Sequence, residues 1–195
     1  MEKSDITVGC IDRGTDISEE TLQGMVDLYR KHEKLSDDQR SERGLDEVRN
    51  IATQIAQGVE FVIAKNNDGE VVGARRAITG VRYEHQTEKE RGIWLDSLFV
   101  DQNNRGRGIA SEIEKIYAER CQRLADKIKA RVLLAGGIEP DNTASIEAHK
   151  KWGYKIGETY KGSETDGGHE YHFTSKEIEP HGFWERWRNK LQGKR

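Results

Sequence analysis

Residues 93–138 constrain the fold of this chain more than any other stretch. IWLDSLFV (93–100) is an apolar run with one acid inside it, and RVLLAGGI (131–138) is a second run of the kind a buried strand needs. Between them DQNNRGRG leads into a helical pattern that extends to about Lys129, with Ile109, Ile113, Ile116, Tyr117, Leu124 and Ile128 as its apolar stripe. Strand, helix and strand make a β–α–β unit. Earlier, VEFVIA (59–64), the turn NNDG and EVVGARRAI (70–78) read as a β-hairpin. A hairpin and a β–α–β unit in one chain imply a mixed sheet covered by helices.

The remaining periodicities complete the order. A short apolar-rich stretch at 6–11 reads as a first strand. Asp16-Ile17-Ser18-Glu19 resembles a helix start, with an acid three residues after a capping residue, and Leu22, Met25, Val26 and Tyr29 follow at helical spacing. A second helix carries Val48, Ile51, Ala52 and Ile55 on one face. NTASIEAHKKWGY (142–154) is a short helix ending at Gly153, and strands are predicted around 155–161 and 169–178. The order is β, α, α, β, β, β, α, β, α, β, β, then an amphipathic tail helix. The fold class is therefore α/β in the broad α+β sense. Residues 1–178 form one domain and 179–195 the tail, which suits a 195-residue chain.

Composition removes several function classes. A net charge of −3 gives no basic excess for holding nucleic acid by bulk electrostatics, so no nucleic-acid partner is expected. No apolar run reaches the roughly 20 residues of a membrane helix, and MEKSDITVGC lacks an apolar signal core, so the expected location is cytoplasmic. Cys10 and Cys121 lack CxxC spacing, and the histidines show no clustered ligand pattern, so no metal is expected.

The loop RGRGIA is the first chemical signal. A helix N-terminus presents unpaired N–H groups and a partial positive charge, and glycine lets a phosphate approach the backbone closely. Three charge-assisted hydrogen bonds at about 1.5–3 kcal/mol each would hold a pyrophosphate with micromolar affinity. Taken alone, the loop is either such a cradle or a plain strand-to-helix turn. There is no GKS or GKT and no GxGxxG, so a Walker-type NTPase and a dinucleotide fold are both disfavoured.

With its neighbours, the loop resembles a known motif. LDSLFVDQNNRGRGIASEIEK is similar to the acyl-CoA motif of the GNAT superfamily of N-acyltransferases, R/Q-x-x-G-x-G/A, with Arg105, Gly108 and Ala110 in its three defined places. About thirty residues on, NTASIEAHKKWGY resembles the family's second motif, in which an Asn opens a short helix that ends in Gly plus an aromatic residue. The element order fits the family from about residue 6 to residue 178. The resemblance implies a mostly antiparallel mixed sheet with splayed central strands, and acetyl-CoA as cosubstrate. It carries pyrophosphate binding to Arg105, Gly106, Arg107, Gly108, Ile109 and Ala110. Backbone groups near Phe99 and Val100 would meet the pantetheine chain, and Asn142 and Ser145 its distal part. An N–H around residues 98–100 would meet the thioester carbonyl.

Two residues are candidates for the chemistry. Asp96 interrupts its apolar strand at a position where similar proteins often hold an acid. It reads either as a general base, its pKa raised by burial, or as a structural or substrate-positioning acid. His149 stands where family members commonly place the Tyr that protonates the leaving thiolate. It reads as a contact to the thiol and a proton donor, or as a core residue sharing a helix face with Ile146 and Trp152; Tyr154 or Tyr160 are the other candidate donors. The implied reaction is direct acetyl transfer to a primary amine. Acids at Glu33, Asp37, Asp38, Glu84, Glu164 and Asp166, mixed with many bases, give a mild preference for a small cationic amine. A protein-lysine or N-terminal acetyltransferase and a non-catalytic acyl-CoA-binding regulatory module are the alternatives. The tail stripe Phe183, Trp184, Trp187 and Leu191 is expected to pack on its own domain or on a sister subunit, as in a homodimer, rather than on a membrane.

Overall fold

The computed structural model of the chain describes residues 6–31, 47–81, 91–162 and 168–182. In chain order these form β1 (Thr7–Ile11), α1 (Glu19–Arg30), α2 (Val48–Ala56), β2 (Glu60–Lys65), β3 (Val71–Val81), β4 (Arg91–Val100), α3 (Ile109–Ile128), β5 (Val132–Ile138), α4 (Thr143–Lys151), β6 (Lys155–Lys161) and β7 (Glu170–Ile178). The mixed sheet and the order of elements are those the sequence predicts. The tail helix expected after residue 182 lies outside the described residues. The first helix starts slightly later than its sequence suggests, because Ser18 rather than Asp16 caps it: the Ser18 hydroxyl accepts from the Thr21 N–H.

The seven strands lie in the order β1-β2-β3-β4-β5-β7-β6. Every neighbouring pair is antiparallel except β4 and β5, which the α3 crossover makes parallel. Helices cover both faces. Leu22, Met25, Tyr29, Ile51 and Ile55 from α1 and α2 pack on Phe61, Ala74 and Phe99. On the other face, Ile109, Ile113, Tyr117, Cys121 and Ala125 of α3 pack on Val72, Ala77, Leu95, Val132 and Leu134. Burying each large apolar side chain in these layers contributes roughly 1.5–3 kcal/mol. Beyond β7 the chain turns back onto α3, where Asp126 accepts from the His181 N–H at 2.6 Å and Gln122 Nε2 donates to the Glu179 carbonyl at 2.8 Å. Among the described residues no helix is long and apolar enough to cross a membrane.

Two irregularities in β4 create the site. The parallel ladder runs only from Arg91↔Val132 to Leu95↔Gly136. β4 then continues to Val100 without β5, so the two strands part in the middle of the sheet. At the same place the antiparallel register slips: Arg76 pairs with Asp96 but Arg75 pairs with Leu98, leaving Ser97 as a bulge. Residues three apart in a regular strand point to opposite faces. The bulge instead lets Asp96 and Phe99 share the α1–α2 face, while Leu95 and Leu98 face α3.

Gly136 sits at the fork. A Cβ there would lie 2.7 Å from the Leu95 carbonyl oxygen, a backbone atom that cannot move aside without disturbing the ladder. Gly136→Ala is expected to destabilise the chain by roughly 1–3 kcal/mol in denaturant unfolding, an overpacking cost, with the far-UV spectrum retained.

Candidate functional site

The parting of β4 and β5 opens a cleft of about 750 Å³. Phe99 and Val100 of β4 line it, as do Arg105, Gly106, Gly108, Ile109 and Ala110 of the following loop and helix. Asn142 and Ser145 close it from α4. The structure therefore brings together the sequence-predicted binding residues except Arg107, whose guanidinium turns to Asn104 Oδ1 at 2.9 Å. Asp96 and His149 stand behind this lining rather than in it.

The loop is built to expose backbone. Gly106 and Gly108 hold φ of +75° and +82°, the left-handed region that a residue with a Cβ resists. Asp101 braces the turn by accepting from the Asn103 N–H and from Asn104 Nδ2. Arg105 Nε donates to the Val100 carbonyl at 3.1 Å, tying the loop to the end of β4. Gly108 is the cap residue of α3 and has no side chain to accept from the first turn. The first intrahelical bond is Glu112 N–H to the Gly108 carbonyl. The N–H groups of Ile109, Ala110 and Ser111 thus have no partner within the helix, and they face an exposed cleft.

α4 is capped differently. Asn142 Oδ1 accepts from the Ser145 N–H at 3.1 Å, which aims the helix across the cleft. Ser145, Ala148 and Trp152 form its cleft-facing side, and the buried His149 sits next to it. His149 Nδ1 lies 2.8 Å from the Ser145 carbonyl. A carbonyl can only accept, so Nδ1 carries the proton and Nε2 keeps its lone pair in the neutral ring. Burial first, and the Arg75 charge second, pull the imidazole down from 6.5 to about 4; the Ser145 bond opposes them only in part. At neutral pH His149 is an acceptor at Nε2.

On the opposite face, Asp96 Oδ2 accepts from Arg76 Nη1 at 2.5 Å, and Arg76 Nε donates to Gln54 of α2 at 2.8 Å. Tyr29, fully buried, packs edge-on against Phe99 at 5.1 Å. Burial and then the Asp96 charge push its phenol well above the ordinary range, so it remains a proton donor. The carboxylate is thus fixed in a polar array beside the fork.

An uncapped helix start behind two glycines, at a fork between parallel strands, is the arrangement that the sequence motifs imply. The sequence profile of the acetyltransferase (GNAT) family matches residues 22–154, which span both motifs and the fork. The chain belongs to that family. As a GNAT protein it is an acyltransferase. Its fold is similar to that of a GNAT phosphinothricin acetyltransferase from Sinorhizobium meliloti, solved with AcCoA (17% identity, TM-score 0.63, covering 90% of this chain and 89% of that one). It is also similar to Arabidopsis thaliana Naa50, solved with the bisubstrate analogue CoA-Ac-MVNAL (17%, TM-score 0.60, 88% and 98%). An N-acetyltransferase from Staphylococcus aureus Mu50 gives 21% identity and a TM-score of 0.62, over 88% and 97%. No curated protein sequence matches the chain.

Sequence reasoning missed parts of the lining of this GNAT site, three of them large side chains on helix ends. Leu28 and Lys31, at the end of α1, and Trp152 also line the cleft. Trp152 had a readable signal, since it follows Ser145 and Ala148 at helical spacing. Leu28 and Lys31 had none, because only the packing of α1 over β4 brings them there. The state of His149 has a measurable consequence. Its folded value lies below its unfolded one, so its contribution to stability is full above about pH 6.5 and lost as pH falls towards 4. Between those limits the wild type is expected to lose up to about 3 kcal/mol relative to His149→Gln in urea unfolding. Parallel pH dependence of the two proteins would show that the ring is not held neutral.

Proposed function

We propose that the chain transfers an acetyl group from acetyl-CoA directly to a primary amine, and that the acceptor is a small cationic amine. One observation carries the reading: the unpartnered N–H groups at the start of α3, behind Gly106 and Gly108, open onto the cleft where β4 and β5 part. A pyrophosphate accepts from that helix start, and the pantetheine arm lies along Phe99 and Val100 towards the fork. Asn142 and Ser145 flank the arm from α4. Acetyl-CoA supplies the activated acyl group. The family's acyl-CoA motif, intact here, supports this choice of donor.

The residues then divide the chemistry. Asp96, held by Arg76 on the α1–α2 face, draws an ammonium to the fork by its charge. The ammonium first loses one proton to solvent; the free amine nitrogen then attacks the thioester carbonyl, the C–N bond forms, and the C–S bond breaks. In the balanced reaction one proton moves from nitrogen to sulfur. A neutral His149 offers Nε2 only as a hydrogen-bond acceptor at the fork, and the proton passes through water. This differs from the donor role that its place in the motif suggests, because an imidazolium is disfavoured in its surroundings.

Gly108→Glu places a Cβ at a positive φ and a carboxylate in the anion site. The loss of two charge-assisted bonds, about 3 kcal/mol, corresponds to a roughly 100-fold drop in acetyl-CoA affinity by calorimetry. Asp96→Asn is expected to raise the acceptor KM and leave acetyl-CoA binding unchanged. A thiol-release screen over polyamines, amino acids, aminoglycosides and lysine peptides identifies the acceptor. Binding of acetyl-CoA with no turnover on any amine would favour a non-catalytic acyl-CoA-binding module, and activity on peptides alone would remove the small-amine reading.

A further inference from the structure

Beneath α4, on the α3 face of the sheet, four polar side chains meet, three of them buried and the fourth, Lys176, partly exposed. Arg75 of β3 is 2% exposed and Glu114 of α3 is 3% exposed, and the Arg75 guanidinium bonds Glu114 Oε2. Tyr154, in the turn after α4, donates to Glu114 Oε1 at 3.0 Å. Lys176 of β7 stands 3.6 Å from the same oxygen and 5.3 Å above the Tyr154 ring. Two cations therefore share one carboxylate. Arg75 Nε is buried with no partner among the described residues, so its charge is not fully compensated. The Arg75 guanidinium also lies over the Tyr117 ring of α3 at 6.0 Å.

His149 closes this cluster from above. Its ring packs edge-on against Tyr154 at 5.0 Å and tilts against Trp152 at 5.1 Å. We propose that Arg75, Glu114, Tyr154 and Lys176 form a positioning cluster, which carries one net positive charge and holds His149 neutral. The physical reason is direct. A protonated His149 would be a third cation beside a single carboxylate, in a region where water cannot screen it. Tyr154 from the turn packs against the ring and the Arg75 charge from β3 acts on it, while Glu114 and Tyr117 of α3 and Lys176 of β7 touch those two groups. Lys150 and Lys151, on α4 itself, are exposed to solvent. Burial alone disfavours the imidazolium, and the Arg75 charge adds to it. The cluster thus keeps position 149 a neutral hydrogen-bond acceptor on a helix where its neighbours only pack and cap. For its catalytic meaning the inference rests on the acetyl-transfer reading; for the state of the ring it does not.

The test uses the full-length protein with ¹⁵N-labelled histidine, assigned by His149→Gln, and needs no amine. In the wild type the Nδ1–H tautomer is expected, with no titration of His149 between about pH 5 and 8. Arg75→Met leaves Glu114 still paired with Lys176, so it takes the cluster's net charge from +1 to zero without leaving an unpaired carboxylate, and its His149 midpoint is expected to rise by about one pH unit. Lys176→Met, at a partly exposed side chain, makes the same change of net charge, is expected to raise the midpoint by less, and serves if Arg75→Met does not fold. Turnover against pH then gains an acid limb in whichever variant shifts. A wild-type His149 that titrates near its ordinary value, or an unshifted midpoint in the folded variants, overturns the inference while leaving acetyl-CoA binding untouched. Failure to bind acetyl-CoA would overturn the functional reading and not this one.

Discussion

The β4–β5 ladder ends at Leu95 and Gly136, and the site depends on that early end. Two parallel strands in the centre of a sheet normally satisfy each other's backbone groups along their whole length. Here they stop doing so while β4 runs on for five more residues. The gap that results is a cleft in the middle of the fold rather than a groove on its surface. The helix that must follow β4 starts at the mouth of this cleft, because the crossover to β5 leaves from there. The bulge at Ser97 adds the second necessity, since it turns Asp96 and Phe99 to the same face. A cosubstrate site and an acid beside it are thus consequences of one interrupted strand pair.

Two sources of positive potential meet at the loop, and they are not equal. Arg105 and Arg107 are exposed, and in the structure they bond Val100 and Asn104. Exposed charges of this kind contribute about 0–1 kcal/mol each and are screened by salt. The N–H groups at the start of α3 are fixed in place by the helix, and each charge-assisted bond they make is worth about 1.5–3 kcal/mol. In the proposed binding mode the backbone therefore does the gripping, while the arginines shape the loop and add a screened attraction. This is why the glycines matter more than the charge between them.

Much of the fold was legible because its signals are local. NNDG marks its hairpin, Asn142 caps α4, and Gly106 and Gly108 stand where φ is positive. The candidate site residues on the loop and on α4 come from the resemblance of two motifs that contain these same glycines and this same cap. What could not be read is what depends on two distant segments meeting. Glu114 looks like a solvent-facing charge next to Ile113, yet it is buried because Arg75 is opposite it. The adjacent Arg75 and Arg76 look alike in EVVGARRAI, but strand alternation sends one to α3 and the other to Asp96. The neutral state of His149 is of this kind too: the motif places the residue, and burial first, with the distant Arg75 charge second, keeps its ring neutral.

The central claim is that the start of α3 holds the pyrophosphate of acetyl-CoA. Hydrogen exchange tests it most directly, comparing acetyl-CoA with S-acetylpantetheine, which has the thioester and the arm but no pyrophosphate. Both ligands are supplied at concentrations that saturate the protein or at the limit of solubility. The account predicts that acetyl-CoA slows exchange at the amides of residues 105–111, and that S-acetylpantetheine leaves them unchanged. Equal protection by the two ligands, or none by acetyl-CoA, would contradict it.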